Sequence, residues 1–345
     1  MDAKNGILTL HLQPAKITMT RSRNALSDVL NSLNVSGQVL LVDEYQPPWG
    51  IEIPEGSLLA TSLHLPADTR VVPFHIVRRG LFELHTQAAE PRVIRTGEVA
   101  ICTGDIRHRM IQGEPTRVVP FEELLGSSVH PITAAGQGGS TELVCGVFVW
   151  RNATNNPLID ALPDVVHTDV SGRDGGKTLE LLTQLLVGEL HMTRAGHDYM
   201  ASRFVELLCA ESIRQFLDRN EHERPGWFRA MQDPKIAPAL NTIHAAPGST
   251  LSVATLASEV NMSASRFAAR FREAMGESVM SYATGWRMNI AGRQLAETEL
   301  NVEQIAHQVG YESTASFSRA FSRCYGVPPA RYRKSQGPVA AQPQS

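Results

Sequence analysis

Cysteine is scarce in this sequence, and its positions exclude the commonest cysteine-based architectures. The 345 residues include four cysteines, and none forms a C-x-x-C pair, so neither a disulfide framework nor a zinc knuckle is indicated. No stretch approaches the ~20 consecutive apolar residues of a membrane span. Polar residues also interrupt the N-terminus where a secretory signal needs an apolar run. We therefore predict a protein of the reducing cytoplasm that has no membrane partner.

Local signatures of catalysis are also missing. The sequence contains no G-x-S-x-G, no H-E-x-x-H and no glycine-rich phosphate loop. These are the patterns of hydrolases, zinc proteases and nucleotide-binding enzymes. Many active sites carry no local signature, so these absences exclude only the enzyme classes that such motifs define. We predict no catalytic residues, no cofactor and no bound metal, and expect a binding function instead.

Length and charge favour several domains, one of which binds an anionic partner. A chain of 345 residues suits two or three domains, and 42% hydrophobic content supports well-formed cores. The net charge of −3 is unevenly spread, since Gln232 to Lys334 carries 11 Lys and Arg against 8 Asp and Glu. The remainder is correspondingly acidic. The split is typical of one DNA-reading end and one end that does not touch DNA.

A duplicated pattern near the C-terminus is the strongest signal in the chain. The pattern F-x3-F-x4-G-x5-Y appears twice, 50 residues apart. Its two copies are Phe267, Phe271, Gly276, Tyr282 and Phe317, Phe321, Gly326, Tyr332. Phenylalanines at i and i+4 lie on one helical face, and a short helical pattern with a tight break precedes each copy. A fixed period is hard to explain by packing alone, so two helix-turn-helix units are predicted.

The second helix of each unit has the composition of a DNA recognition helix. Ser263 and Ser313 are good N-cap residues, so each helix should begin there, with amide groups suited to clamping phosphates. Short side chains near the start would let the backbone approach the bases. Arg266 and Arg319 project away from the phenylalanine face. Each could read the O6/N7 edge of guanine with two hydrogen bonds, although a solvated helix face is the simpler alternative.

One helix is predicted between the two units, from Val279 to about Glu297. At ~1.5 Å per residue it would be somewhat under ~30 Å long. Successive major grooves on one face of DNA are about 34 Å apart. A single rigid helix could therefore place both recognition helices in adjacent grooves of the same duplex.

The run from Leu251 to Arg333 resembles the DNA-binding domain of AraC/XylS-type transcriptional regulators. Its most specific part reads IAHQVGYESTASFSRAFSRCYGVPPARYR. The resemblance implies base contacts from Ser265, Ala268, Ala269, Thr314, Ala315, Ser318 and Arg319. Alanine side chains cannot donate hydrogen bonds, so the first recognition helix depends on Ser265 and Arg266 for polar contacts. The resemblance also implies homodimers, RNA polymerase as a partner, and activation more often than repression.

The N-terminal half has a β texture. Short apolar runs between Val39 and about Val149 are bounded by Gly, Pro, Asn or charged residues, which indicates an antiparallel sandwich or barrel. The runs are GQVLLVDEY, SLLATSLHL, VVPFHIV, LFELHT, PRVIRTGEVAICTG and STELVCGVFVW. Residues Gly97 to His108 resemble the second cupin motif. His75, five residues before Gly80, resembles the FH-x4-G of cupin-like sensor domains fused to AraC-type regulators. We predict an effector pocket at Trp49, His75 and His108.

Two other roles for this half stay open. Metal-binding cupins use an H-x-H pair and usually a carboxylate, and this sequence contains no H-x-H. His75 and His108 are therefore expected to be pocket or hydrogen-bonding residues, and a cupin metalloenzyme with both as ligands is the alternative. The other alternative is a thiol-based redox sensor. Cys102 and Cys145 lie within apolar runs, which favours buried side chains over reactive thiols.

These patterns combine into an α+β multidomain protein. It contains a cupin-like antiparallel β-barrel, a helical segment for coupling or dimerisation, and an all-α domain with two helix-turn-helix units. The predicted boundaries are a disordered leader at 1–20, the cupin-like sensor domain at 21–168, the helical segment at 169–230, the DNA-binding domain at 231–334 and a disordered tail at 335–345. The predicted function is sequence-specific binding of double-stranded DNA, controlled by an unknown small-molecule effector or cell state.

Overall fold

The fold is described from a computed structural model. It covers residues 25–63, 65, 69–87, 89–124, 139–151, 153–169, 176–191, 194–219 and 226–335. The predicted leader and nearly all of the predicted tail lie outside these residues. The domain boundaries given above stay a prediction. Among the described residues, no helix is both long and apolar enough to cross a bilayer.

Ten strands form two five-stranded sheets in the N-terminal half. They are β1 (Val35–Tyr45), β2 (Trp49–Ile53), β3 (Arg70–Arg79), β4 (Leu81–Thr86), β5 (Arg92–Arg95), β6 (Glu98–Cys102), β7 (His108–Gln112), β8 (Val119–Pro120), β9 (Thr141–Trp150) and β10 (Val165–Asp169). Sheet one has the order β1-β9-β3-β6-β10, and sheet two has the order β5-β4-β7-β2-β8. All pairs are antiparallel except the short β2–β8 pair. The β-rich cupin-like fold is confirmed, with its described strands in two sheets.

The chain passes from sheet one to sheet two at Gly80, between β3 and β4. Gly80 has φ +83°, and a Cβ there would lie 2.6 Å from the Ser140 carbonyl oxygen. Only glycine tolerates both conditions. The crossing lets the inward faces of the two sheets meet, and their shared core includes Trp49, Phe82 and Met110.

One predicted strand is wrong. Residues 57–65 were expected to be β, but α2 (Gly56–Ser62) is a helix. Its buried residues are Gly56, Leu59 and Ala60, whereas Leu58 is exposed. That spacing is helical, and alternation along a strand would have buried Leu58 with Ala60. The Asp105 carboxylate accepts a hydrogen bond from the Ser57 amide, which stabilises the start of the helix.

Two longer helices cover the outer face of sheet one. The helices are α5 (Gly176–His191) and α6 (His197–Arg219), after the short α3 (Phe121–Leu124) and α4 (Pro157–Ala161). Val205 of α6 lies so close to β1 that a Cβ at Gly37 would be 2.6 Å from it. Part of the leucine-rich surface predicted for this segment is therefore core. The rest is exposed and includes Leu181, Leu185 and Leu207.

The C-terminal part is all helical. It comprises α7 (Trp227–Gln232), α8 (Ala237–Ala245), α9 (Val253–Glu259), α10 (Ala264–Met275), α11 (Val279–Glu297), α12 (Val302–Gln308), α13 (Thr314–Tyr325) and α14 (Pro329–Ser335). The predicted helix-turn-helix pairs are α9–α10 and α12–α13. The first unit is defined as α8–α10, and the second unit as α12–α14. The linking helix α11 runs from Val279 to Glu297 as predicted.

Helix α11 belongs to two separate cores. Its first half contributes Tyr282 and Trp286 to a large core that also holds Phe267 and Phe271. Its second half contributes Met288 and other residues to a smaller core around Phe317 and Phe321. The large core continues into sheet one and α1 (Ala25–Ser32). The first unit is thus packed on the N-terminal domain, and the second unit has a core of its own.

Candidate DNA-binding surface and sensor interior

The recognition helices α10 and α13 have the same local geometry. The Ser263 and Ser313 hydroxyls accept hydrogen bonds from the amides of Arg266 and Ser316, both at 3.5 Å. Each helix ends at a left-handed glycine, Gly276 or Gly326. The phenylalanines of both helices are fully buried. The repeat therefore encodes one local structure twice, because the same caps and the same apolar face recur.

The predicted DNA-contacting residues lie on the side of these helices opposite the buried phenylalanines or at the helix starts. Two are partly buried, namely Ala268 and Ser318, and the others are exposed. The exposed residues are Ser263, Ser265, Arg266, Ala269, Ser313, Thr314, Ala315 and Arg319. The surface agrees with the prediction, although base contact by these residues stays a prediction.

Arg266 and Arg319 differ from Arg270 and Arg287 of the same domain, whose guanidinium groups have partners within the protein. Neither Arg266 nor Arg319 forms an ion pair with any residue that the structure describes. In contrast, Arg270 Nε lies 2.8 Å from an Asp233 carboxylate oxygen. Arg287 donates from Nε to the Pro247 carbonyl oxygen at 2.6 Å and from Nη2 to that of Ser249 at 2.7 Å. The guanidinium groups at 266 and 319 therefore keep their donors for an external acceptor such as a base or phosphate.

The two units also touch directly. A Cβ on Gly310 would lie 2.7 Å from the Gly248 carbonyl oxygen, and Gly310 has φ +84°. A Cβ on Gly248 would lie 2.3 Å from the Gln308 carbonyl oxygen. Helix α11 is thus not the only connection, since the turn after α8 packs against the turn after α12. This contact fixes the relative orientation of the two recognition helices more firmly than one helix could.

The N-terminal domain contacts the first unit and α11 through hydrogen bonds as well as through the shared core. The Ala25 amide donates to Asn241 Oδ1 at 3.0 Å. Asn289 Nδ2 donates to the Thr154 carbonyl oxygen at 3.0 Å, and Asn34 Nδ2 donates to Glu297 Oε1 at 2.7 Å. These bonds join α1 and the loop before α4 to α8 and α11. A movement of the N-terminal domain would therefore shift the first unit.

The three predicted pocket residues all lie in the interior between the sheets. Trp49 of β2 is 0% exposed, and His75 of β3 and His108 of β7 are each 1% exposed. Trp49 Nε1 donates to Gln112 Oε1 at 2.7 Å. The Phe82 ring lies between Trp49 and His75, at centroid distances of 6.3 and 6.2 Å. The arrangement is compact, and an effector role for it stays a prediction.

His75 and His108 form a buried pair across the two sheets. Their Nε2 atoms are 2.8 Å apart. Burial lowers the pKa of His108 to about 4. Burial, with His108 adding to the effect, lowers the pKa of His75 well below its usual value. Both rings are therefore neutral near pH 7, and one nitrogen of the close pair must carry the proton while the other accepts it.

Cysteines flank this pair, which sequence reasoning missed. Cys145 Sγ lies 3.2 Å from His75 Nδ1, and the ligand atoms of His75, Cys102 and His108 all lie within 4.8 Å of one another. Burial raises the pKa of both thiols, so neither has the character of a reactive sensor cysteine. Ala100 and Cys102 lie on the same face of β6, and Ala100 pairs with His75 of β3. The alternation of a strand predicts the shared face, but it does not predict which distant strand pairs with β6.

A direct disulfide between the two cysteines does not fit the sheet. His75 of β3 pairs with Cys145 of β9 on one side and with Ala100 of β6 on the other. Cys102 and Cys145 are thus two strands apart, roughly 9–10 Å at about 4.8 Å per strand. Disulfides need Cα atoms about 4.4–6.8 Å apart. The thiol-switch alternative finds no support in this geometry.

Comparisons with known proteins agree with this architecture. A cupin family model matches residues 24–218, and a helix-turn-helix domain model matches residues 256–335. A putative AraC-like transcription regulator of Streptomyces lividans is 31% identical over 266 residues, which cover 77% of this chain and 87% of the relative. The regulator AlkR of Acinetobacter baylyi is 23% identical, with 90% of this chain and 99% of the relative covered. A solved structure of the AdpA DNA-binding domain with its target DNA is 28% identical, covering 30% of this chain and 93% of that chain at a TM-score of 0.28.

A cupin-like domain followed by two helix-turn-helix units with exposed recognition helices defines a DNA-binding transcriptional regulator. The chain belongs to the AraC family of these regulators. The expectations of family, fold and regulatory function drawn from the sequence are confirmed. Its helical part is the DNA-binding domain of such a regulator.

Proposed function

We propose that both recognition helices contact one duplex through the ten predicted residues, with Arg319 as the main base-reading donor. The observation that carries the proposal is that Arg266 and Arg319 are exposed and make no ion pair with any described residue. An unpaired guanidinium beside short side chains at a helix start is suited to guanine in the major groove.

The two helices divide the readout unequally. In α10 the central positions are Ala268 and Ala269, which offer shape and contact with thymine methyl groups but no hydrogen bonds. In α13 the matching positions, 50 residues on, are Ser318 and Arg319, which both donate. The second unit therefore supplies most of the sequence specificity, and the first unit supplies affinity and register.

The cupin-like domain acts as the input. An effector or change of cell state that shifts the packing of α1 and sheet one would be transmitted through the shared core to the first unit. We assign the interior around Trp49, His75 and His108 to this sensing role. A regulatory role requires no chemical turnover, so we propose that the protein is not an enzyme, and that it works in the cytoplasm beside its DNA and RNA polymerase as an activator.

Dimerisation fits the exposed apolar surface of α5 and α6. Leu181 is 55% exposed, Leu185 44%, Leu207 52% and Tyr199 65%. Large exposed apolar side chains on neighbouring helices are typical of association surfaces. We infer a homodimer through this face, which sedimentation velocity of the full-length chain would measure. A strictly monomeric chain at high concentration would exclude it.

The test of the DNA-binding proposal is Arg319→Ala. Footprinting of the tagged protein first supplies the operator, and binding to that operator is then measured at fixed salt. Loss of one bidentate base contact should weaken specific binding by about 1–3 kcal/mol and relax specificity at one base pair.

The matched control is Arg95→Ala, which removes the same charge from an exposed position in the sensor domain. It should leave operator affinity nearly unchanged. Equal losses in the two variants would show that only overall charge matters, and an unchanged footprint for Arg319→Ala would remove it from the interface.

A further inference from the structure

Three side chains from both sheets converge in the sensor interior with the chemistry of a metal site. His75 and Cys102 come from β3 and β6 of sheet one, and His108 comes from β7 of sheet two. All three are about 1% exposed. Their ligand atoms lie within 4.8 Å of one another, which is the size of a first coordination sphere for a transition-metal ion with bonds of about 2.0–2.3 Å.

The far side of each histidine ring is already held. His108 Nδ1 lies 3.2 Å from the Ile106 carbonyl oxygen. Because a carbonyl only accepts, that nitrogen carries the proton, and the lone pair of His108 Nε2 faces His75. His75 Nδ1 lies 3.2 Å from Cys145 Sγ. Metal-binding histidines are usually oriented by such partners on the other ring nitrogen, which fix the tautomer and the ring plane.

We propose that His75, Cys102 and His108 bind a soft or borderline transition-metal ion, of which zinc is the representative. Two imidazoles and one thiolate suit Zn²⁺, Co²⁺ or Cu⁺. The same set is unsuited to Ca²⁺ and Mg²⁺, which require oxygen ligands. A thiolate here takes the place of the H-x-H and carboxylate set that was expected of metal-binding cupins and is missing from the sequence.

Metal binding would require only a small movement of the two histidine rings and the release of one proton. Two Zn–N bonds of about 2.0–2.1 Å at a tetrahedral angle separate the nitrogens by about 3.3 Å, so the pair must open slightly from 2.8 Å. The Cys102 thiol loses its proton to solvent. The His75 ring proton moves from Nε2 to Nδ1, where Cys145 Sγ accepts it. One proton is therefore released for each divalent ion bound, and three protein ligands leave a fourth position on the ion.

The site is independent of how the helix-turn-helix units read DNA, so the test uses no operator. Full-length protein is stripped with a chelator and titrated with Co²⁺, whose bond to a thiolate gives a charge-transfer absorption band, and then with Zn²⁺. We expect one equivalent of Co²⁺ per chain, displacement by Zn²⁺, and a higher melting temperature with either ion. Absence of saturable binding would overturn the proposal.

Three variants separate ligands from neighbours. Cys102→Ser should lose the charge-transfer band and bind at least about 10-fold more weakly. Cys145→Ser should keep the band, with affinity reduced about 10–100-fold, because it removes only an orienting partner. The control is Cys209→Ser, another buried cysteine, in α6, which should behave as wild type. A band that survives in Cys102→Ser would contradict the assignment.

A measurement on unmodified protein covers the case in which a buried substitution prevents folding. X-ray absorption at the Zn edge counts the sulfur and nitrogen ligands directly. One sulfur and two imidazole nitrogens would support the proposed set. Two sulfurs, or none, would overturn it.

Discussion

The two helix-turn-helix units are alike in sequence and local geometry but differ in what they pack against. Phe267 and Phe271 of the first unit belong to a core that continues through α1 into sheet one. Phe317 and Phe321 of the second unit belong to a smaller core that contains no residue of the N-terminal domain among those described. The same motif therefore packs one unit on the N-terminal domain and gives the other a core of its own.

This difference suggests how a signal can be directional. A change in the N-terminal domain reaches the first unit through packing and the bonds of α1, and it reaches the second through α11 and the Gly248–Gly310 contact. Under the proposed function, the unit with fewer hydrogen-bond donors for base reading is thus the one that packs on the N-terminal domain. The unit with Ser318 and Arg319 keeps its own fold and is available for recognition.

The largest effect that would test the comparison is Phe321→Ala. Deleting a fully buried phenylalanine should destabilise its core by about 3–5 kcal/mol. Hydrogen exchange should show lost protection confined to α12–α14 and the second half of α11. The matched Phe271→Ala change should cost a similar amount, but its lost protection should extend into α1. If both variants opened the same regions, the two cores would not be separate.

Gly310→Ala tests the direct contact between the units. The alanine would be strained at φ +84°, and its Cβ would collide with the Gly248 backbone. We therefore expect the free energy of unfolding to fall by about 3 kcal/mol, the upper end of the cost of such strain. Denaturant unfolding and operator affinity should both report it. Gly326→Ala is the control, since that glycine also has positive φ but nothing within 4 Å of its Cβ. Equal losses would mean that only backbone strain matters.

The first unit should be the more acid-sensitive one because of His244. Burial lowers the pKa of His244 to about 3, and its Nε2 lies 2.7 Å from the Tyr282 hydroxyl. In the unfolded chain His244 binds a proton near pH 6.5, whereas in the folded chain it stays neutral until about pH 3. The free energy of unfolding is therefore highest above pH 6.5 and falls as the pH drops towards 3. Between pH 7 and 5 the loss should be about 2 kcal/mol.

Denaturant unfolding of wild type and His244→Gln across this pH range would measure that loss. The buried His75 and His108 remain in both proteins, so the difference between the two curves isolates His244. The stability advantage of wild type, if any at pH 7, should shrink by pH 5. Parallel curves would show that the pKa of His244 is the same in the folded and unfolded chains.

Asn241→Ala tests the hydrogen bonds between the N-terminal domain and the first unit, and it is expected to have the smallest effect. It removes the acceptor for the Ala25 amide, and this partly buried neutral hydrogen bond should contribute about 0.5–1.5 kcal/mol. Exchange of the α1 amides should accelerate, and exchange in α12–α14 should not. Gln232→Ala, at an exposed position in α7, is the control and should change neither region.

Much of the C-terminal domain was predictable because its determinants are local. The i, i+4 phenylalanines, the serine caps and the terminal glycines occur within single helices, and α11 ends where its periodicity ends. The N-terminal domain was harder. Strands β2 and β7, which carry Trp49 and His108, were not anticipated, and the run 57–65 was assigned to β although it is helical. Short apolar segments carry too few residues for their period to decide between strand and helix.

Local sequence patterns suffice to predict two alike DNA-binding units after a β-rich domain, because repeats, caps and apolar periods act over a few residues. Long-range packing sets which unit joins the core of the N-terminal domain, and it brings Cys102 close to His75 and His108 between the sheets. Those meetings join residues distant in the chain. They depend on which apolar faces pack together, and no local pattern specifies that choice.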